Sequence, residues 1–142
     1  MIWALMLGFA SINPTIVEID KCPPYTQGYV QDHIVHICPD LSLPREEVEN
    51  HEIVHLIQAN IGGNIFTQEV LDSLVSTNIS ERELLAVISV YPEDEVAGEL
   101  EARLLQTMPR EVIMLLYRFS ESYASLDSLD GFDDIPVQLQ SS

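Results

Sequence analysis

The first part of the chain alternates between short apolar runs and turn-forming residues, which is typical of strands and loops. Residues 14–20 (PTIVEID) and 29–38 (YVQDHIVHIC) are rich in β-branched and aromatic side chains and are bounded by Pro, Gly and Asp. Such runs favour β-strands, so we predict a small, antiparallel N-terminal sheet. On one strand over 29–38, His33 and His36 would point to opposite faces, which argues against a shared metal.

From residue 44 onward the apolar positions recur at helical spacing, and Pro, Gly and Ser mark the helix ends. Pro44 suits a first helical turn and Gly62-Gly63 suits a helix end, so one helix should lie between them. Ser80-Glu81-Arg82-Glu83 has the form of a capping box. The predicted helices are 44–61, 67–76, one opening at the capping box, one from Pro92 to 108, and 110–124. Strands followed by helices predict a mostly helical α+β fold.

The chain has 142 residues, the size of one domain, and nothing in its composition marks a second. We expect a single domain over 11–126 and a loose acidic tail over 127–142. Residues 1–10 are nearly all apolar and too short a run to span a bilayer, so no stable membrane insertion is expected. They are either a signal peptide, which would make the protein secreted or periplasmic, or an apolar element of a cytoplasmic protein.

The expected redox state of Cys22 and Cys38 depends on whether residues 1–10 are a signal peptide. In an exported chain they would form one disulfide, closing a loop of about 17 residues and contributing about 3 kcal/mol. In the cytosol they would be reduced thiols.

The charge balance excludes one class of partner. The chain has 23 acidic and 6 basic residues and a net charge of −17. Such a field repels phosphate backbones, so nucleic-acid binding is not expected. A bound divalent cation or a basic substrate would offset part of the charge.

The most specific signal is HEIVH at residues 51–55, inside the first predicted helix. Residues four apart on a helix differ by about 40° around its axis, so His51 and His55 present two imidazoles to one point. Zinc takes such nitrogens as ligands. Glu52 lies to one side of the pair, where it is placed to hydrogen-bond a water molecule on the metal. The pattern is the HExxH signature of zinc-dependent peptidases.

A third ligand is needed, because catalytic zinc usually has three protein ligands and one water. No histidine follows His55, so the ligand must be a carboxylate or, less readily, a cysteine. The fourth predicted helix offers Glu95, Glu99 and Glu101, and helical angles alone do not separate Glu99 from Glu101.

With these residues the chain resembles the gluzincins, peptidases that carry HExxH on one helix and a glutamate on a later one. His51 to Gln58 fit an HExxHxxQ form, and Glu99-Leu100-Glu101-Ala102 is similar to the family's ExxA motif. The resemblance implies a minimal zincin-like domain in which Glu99 is the third zinc ligand, with Glu101 as second choice. It also makes residues 29–38 the edge strand that pairs with substrate. Arg103 stands where several such families have Asp or Asn.

The resemblance implies a zinc metallopeptidase that hydrolyses peptide or protein substrates, with Glu52 as general base. Tyr91 and, equally, Tyr117 are candidate hydroxyl donors to the transition state. The alternative is a non-catalytic or latent zinc-binding protein with a vestigial site. In that case a fourth protein ligand, such as Cys22 or Cys38, would occupy the position of the water.

Overall fold

A computed structural model describes residues 13–127. The apolar element expected at 1–10 lies outside the described residues, as does the predicted acidic tail except for Asp127, which ends the last helix. The described part is mostly helical with a small N-terminal sheet, so the predicted α+β class is confirmed.

Within residues 13–127 the sheet has three strands, β1 (Ile16–Glu18), β2 (Gly28–Gln31) and β3 (Ile34–Ile37), in the order β1-β3-β2. It is mixed, and the prediction of a wholly antiparallel sheet was wrong. β2 and β3 are antiparallel, but β1 is parallel to β3. The chain reverses direction twice after β1, so β3 returns in the direction of β1 and lies between the other two strands.

The predicted single strand over 29–38 is in fact a hairpin. Asp32 and His33 have positive φ angles of 52° and 65° and form the turn between Gln31 and Ile34. Two residues in the left-handed region match the twist of a two-residue hairpin. His33 therefore lies in a turn. The argument that His33 and His36 point to opposite faces of one strand no longer applies.

All five predicted helices are present in the described part, with ends that differ from the prediction by a few residues. Gly62, at φ 72°, ends the first helix, and the side chains of Thr67 and Ser80 cap the second and third. We number the helices α1 (Arg45–Ile61), α2 (Gln68–Asn78), α3 (Glu81–Val90), α4 (Glu93–Leu105) and α5 (Arg110–Asp127).

Helix α1 is the centre of the domain, because it packs against β2 and β3, α4 and α5. Ile53, Val54 and Leu56 of this helix are fully buried. Another part of its surface lines a cleft together with residues of β2 and α4. A second, smaller cluster around Leu71 and Leu100 joins α2 and α3 to α4.

Cys22 and Cys38 form a disulfide whose Cα atoms are 5.8 Å apart. It fastens the segment before β2 to the end of β3. Over residues 13–127, no helix is both long and apolar enough to cross a bilayer.

Candidate metal centre

The cleft contains two adjoining cavities of about 650 and 410 Å³. Both are lined by Gly28 of β2, His51 and Glu52 of α1, Tyr91 after α3, and Glu99 of α4. These five residues mark the middle of the cleft, where the two cavities meet.

His51 and His55 face Glu99 from one side of α1. The Nε2 atom of each imidazole lies 3.2 Å from an oxygen of the Glu99 carboxylate. The two rings are 5.0 Å apart between centroids and inclined at 76°. The two helices thus bring two nitrogens and one carboxylate to a single point.

This donor set fits zinc. One ligand atom from each of His51, His55 and Glu99 lies within 4.8 Å of the others. Ligands about 2.0–2.1 Å from a tetrahedral ion are about 3.4 Å from one another, close to the observed nitrogen–oxygen separations. Two imidazoles and one carboxylate leave a fourth position of such an ion free for water.

The outer ring nitrogens are also engaged. Nδ1 of His51 lies 2.7 Å from Oε1 of Gln106, and Nδ1 of His55 lies 2.8 Å from Oε1 of Gln58. An amide oxygen only accepts, so each Nδ1 carries the hydrogen and donates it. In the neutral imidazole this leaves the Nε2 lone pair free for a metal.

The orientation of the Gln58 amide is set by its own partners. Its Nε2 donates to the Gly98 carbonyl at 3.0 Å and to Glu101 Oε1 at 2.9 Å, so its oxygen must face His55. Gln58 belongs to the HExxHxxQ form noted in the sequence, but Gln106 was missed. Gln106 is seven residues after Glu99, about two turns along the same helical face, and that spacing could have identified it.

Asn50, the residue before His51, does not contact the imidazoles but joins other elements. Its side chain donates to the carbonyls of Gln106 and Met108, at 3.0 and 3.1 Å, and accepts from Arg110. It joins α1 to the connection between α4 and α5.

Electrostatics keep Glu99 ionised. Burial opposes its charge, but hydrogen bonds with His51 and His55 outweigh that effect and hold the pKa of Glu99 well below its usual value. For His55, burial acts to lower the pKa, whereas hydrogen bonds with Glu99 and Gln58 raise it above 6.5 overall. An anionic carboxylate therefore faces Nε2 of both imidazoles.

Glu52 is nearly buried, with 8% of its surface exposed, beside Gly28 at the middle of the cleft. A Cβ atom on Gly28 would lie 3.1 Å from Cγ of Glu52 and 3.0 Å from the His36 carbonyl oxygen. A side chain at position 28 would crowd both neighbours, and glycine avoids this crowding where β2 passes Glu52. Burial raises the pKa of Glu52, and the neighbouring His51 and His55 partly offset the increase.

Glu101, the second choice for the third ligand, lies elsewhere. It is fully buried, and its carboxylate accepts from the backbone N–H groups of Ile65 and Phe66, at 2.7 and 2.8 Å, besides Gln58. Glu101 holds the loop between α1 and α2. Of the two glutamates, it is Glu99 that faces the histidines.

The two tyrosines differ in position. Tyr91 lines both cavities, and burial together with the Glu99 charge raises the pKa of its hydroxyl, which therefore stays protonated at neutral pH. Tyr117 is buried in the core, where burial and Glu121 raise its pKa. Tyr117 is therefore not placed to act in the cleft.

The remaining histidines and the cysteines do not join the ligand group. His33 pairs with Glu121 at 3.1 Å, and His36 stacks on Tyr29 with ring centroids 4.7 Å apart. Because Cys22 and Cys38 are bonded to each other, neither thiol is available as a fourth ligand.

Comparisons with known proteins give no family for the chain: no family model, no curated protein and no solved structure matches it.

Proposed function

We propose that the chain is a zinc-dependent metallopeptidase of gluzincin type. The observation that carries the proposal is the convergence of His51, His55 and Glu99, with Nδ1 of each imidazole beside an amide oxygen and Nε2 of each facing Glu99. Glu52, beside this group in the same cleft, supports hydrolysis over simple metal storage.

Zinc bound there would lower the pKa of a coordinated water towards about 7 and polarise the scissile carbonyl. Glu52 would accept the proton of the attacking water and pass it to the leaving amine. Its raised pKa suits both steps, because a carboxyl group must first accept a proton and then release it.

Tyr91 would donate its hydroxyl hydrogen to the oxyanion. It is protonated at neutral pH and lines both cavities next to Glu99. Fixed donors at the position where charge develops stabilise the transition state without reorganising.

The edge of β2 that no other described strand pairs with would hold the substrate. Gln27 accepts a hydrogen bond from Cys38 N at 2.8 Å, so its carbonyl faces β3. Successive residues of an antiparallel strand alternate, which directs the backbone groups of Gly28 and Val30 away from β3 and towards the cleft. An extended peptide can add to such an edge.

The test is to load the purified protein with one equivalent of zinc and incubate it with a mixture of peptides. We expect cleavage that a chelator abolishes and added zinc restores, and no cleavage by His55→Ala. Tight binding of one zinc without cleavage would support instead a non-catalytic zinc-binding protein. Absence of zinc binding would exclude both functions.

A further inference from the structure

The two cavities of the cleft differ in charge. The larger, which we call the acidic lobe, is lined by Asp94 and Glu95 in addition to the central residues. The smaller, which we call the arginine lobe, is lined by Arg103. Among the described residues lining either cavity, Arg103 is the only Lys or Arg. In a chain with 6 basic residues and a net charge of −17, this places a rare cation beside the candidate metal centre.

Arg103 is held in place but remains accessible. Its Nε donates to Glu99 at 3.3 Å and its Nη1 donates to Glu83 at 3.2 Å, while 31% of its side chain is exposed. A guanidinium fixed in this way loses little conformational freedom when it binds a carboxylate. A cation bound by Glu99 would compete with Arg103 for the same carboxylate. The positive charge of Arg103 would then be less neutralised and could pair with a ligand.

The direction of β2 agrees with the charges. The segment before β2, from Tyr25 to Gln27, lines the arginine lobe, whereas Tyr29 and Val30 line the acidic lobe. A peptide antiparallel to β2 would place its amino side in the acidic lobe and its carboxyl side in the arginine lobe. The acidic lobe favours positive groups and the arginine lobe favours negative ones. A peptide with basic residues before acidic ones should therefore bind in this direction.

We propose that Arg103 is a specificity-determining residue that binds an acidic group on the carboxyl side of the scissile bond. That group is the side chain of Asp or Glu or a free C-terminal carboxylate. The substrates are then peptides with basic residues before the cleaved bond and acidic ones after it. The proposal rests on the peptidase function proposed above, but a binding experiment tests it without catalysis.

The experiment uses zinc-loaded Glu52→Gln protein and two labelled peptides of the same composition with blocked ends. One has lysines followed by glutamates, and the other has glutamates followed by lysines. Both have the same net charge, so the overall field of the protein acts on them equally. We expect the lysine-first peptide to bind about tenfold more tightly, as one charge-assisted contact allows.

Three further variants, each made in the same background, locate the preference. Arg103→Met should reduce it to near parity, and Arg103→Glu should reduce it further or invert it. Arg82→Glu makes the same charge change at an exposed position outside both cavities and should leave it intact. If Arg103 acts only by orienting Glu99, its replacement should weaken zinc binding and should weaken the binding of both peptides equally.

Equal binding of the two peptides, or a preference that survives in Arg103→Met and Arg103→Glu, would overturn the proposal. If wild type cleaves peptides without such a preference, the peptidase function stands and the role of Arg103 is wrong. If wild type cleaves nothing but the preference depends on Arg103, the binding site stands and the peptidase function is wrong.

Discussion

The side-chain oxygen of Gln58 accepts a hydrogen bond from Nδ1 of His55 at 2.8 Å, while its nitrogen is bound to α4. One amide thus fixes a metal-facing imidazole and joins the two helices that carry the ligands. Hydrogen-bond partners of metal-binding imidazoles typically contribute about 10–100-fold to metal affinity.

Gln58→Ala should therefore weaken zinc binding by about 10–100-fold while one zinc still binds per chain. Competition with a chromogenic chelator measures this affinity. Gln68→Ala, at an exposed glutamine of α2, is the control and should bind zinc like wild type. An unchanged affinity in Gln58→Ala would remove Gln58 from the centre.

Replacement of Glu52 by Gln should leave zinc affinity nearly unchanged and lower kcat by about 10²–10⁴-fold, the usual contribution of general acid–base catalysis. The reason is that a carboxamide of nearly the same shape cannot accept the proton of the water. Metal content and peptide hydrolysis, measured on the same preparation, separate the two effects. A variant that kept full activity would exclude Glu52 as the base.

Glu99→Gln and Glu101→Gln should affect different properties of the protein. The first removes a ligand and should weaken zinc binding by more than about 100-fold. The second leaves a half-buried backbone N–H of the loop after α1 without a partner and should cost about 1–3 kcal/mol of folding free energy, with one zinc still bound. Zinc titration and urea unfolding of both variants check the assignment. Loss of zinc in Glu101→Gln alone would reverse it.

Glu49 predicts a pH dependence of stability that does not involve the metal. Burial opposes its ionisation, but hydrogen bonds with Arg110 and Arg45 lower the pKa of Glu49 below 4.5 in the folded chain. A carboxyl group whose pKa is lower in the folded chain than in the unfolded chain stabilises the fold at pH values above its unfolded pKa. This contribution is lost as the pH falls through the folded pKa.

Wild type should therefore be more stable than Glu49→Gln at pH 7, and the difference should shrink as the pH falls below 4.5. Urea unfolding at several pH values measures it. Glu46→Gln, at an exposed position in the same part of α1, should differ little from wild type throughout. A difference for Glu49→Gln that grew towards acid pH would contradict this account.

Local signals predicted much of the fold. Pro44, Gly62 and Ser80 act on the backbone next to them, and the helices begin and end near these residues. The hairpin was missed because Asp32 and His33 lack the glycine that usually marks a two-residue turn. The parallel pairing of β1 depends on contacts between distant segments, and no local pattern encodes it.

At the site, the helical period was enough to place His51 and His55 on one face. It could not separate Glu99 from Glu101, because that choice depends on how α4 is rotated against α1 and on the loop N–H groups that Glu101 binds. The position of Arg103 in the cleft likewise follows from packing, which the sequence alone does not give.

The disulfide between Cys22 and Cys38 has a practical consequence. It anchors the segment of residues 23–27, and Tyr25, Thr26 and Gln27 of this segment form part of the wall of the arginine lobe. The cytosol of an expression host keeps cysteines reduced, so protein produced there would lack this disulfide and the constraint that it places on residues 23–27. Material for the binding and cleavage assays should be produced by oxidative folding and handled without thiol reagents.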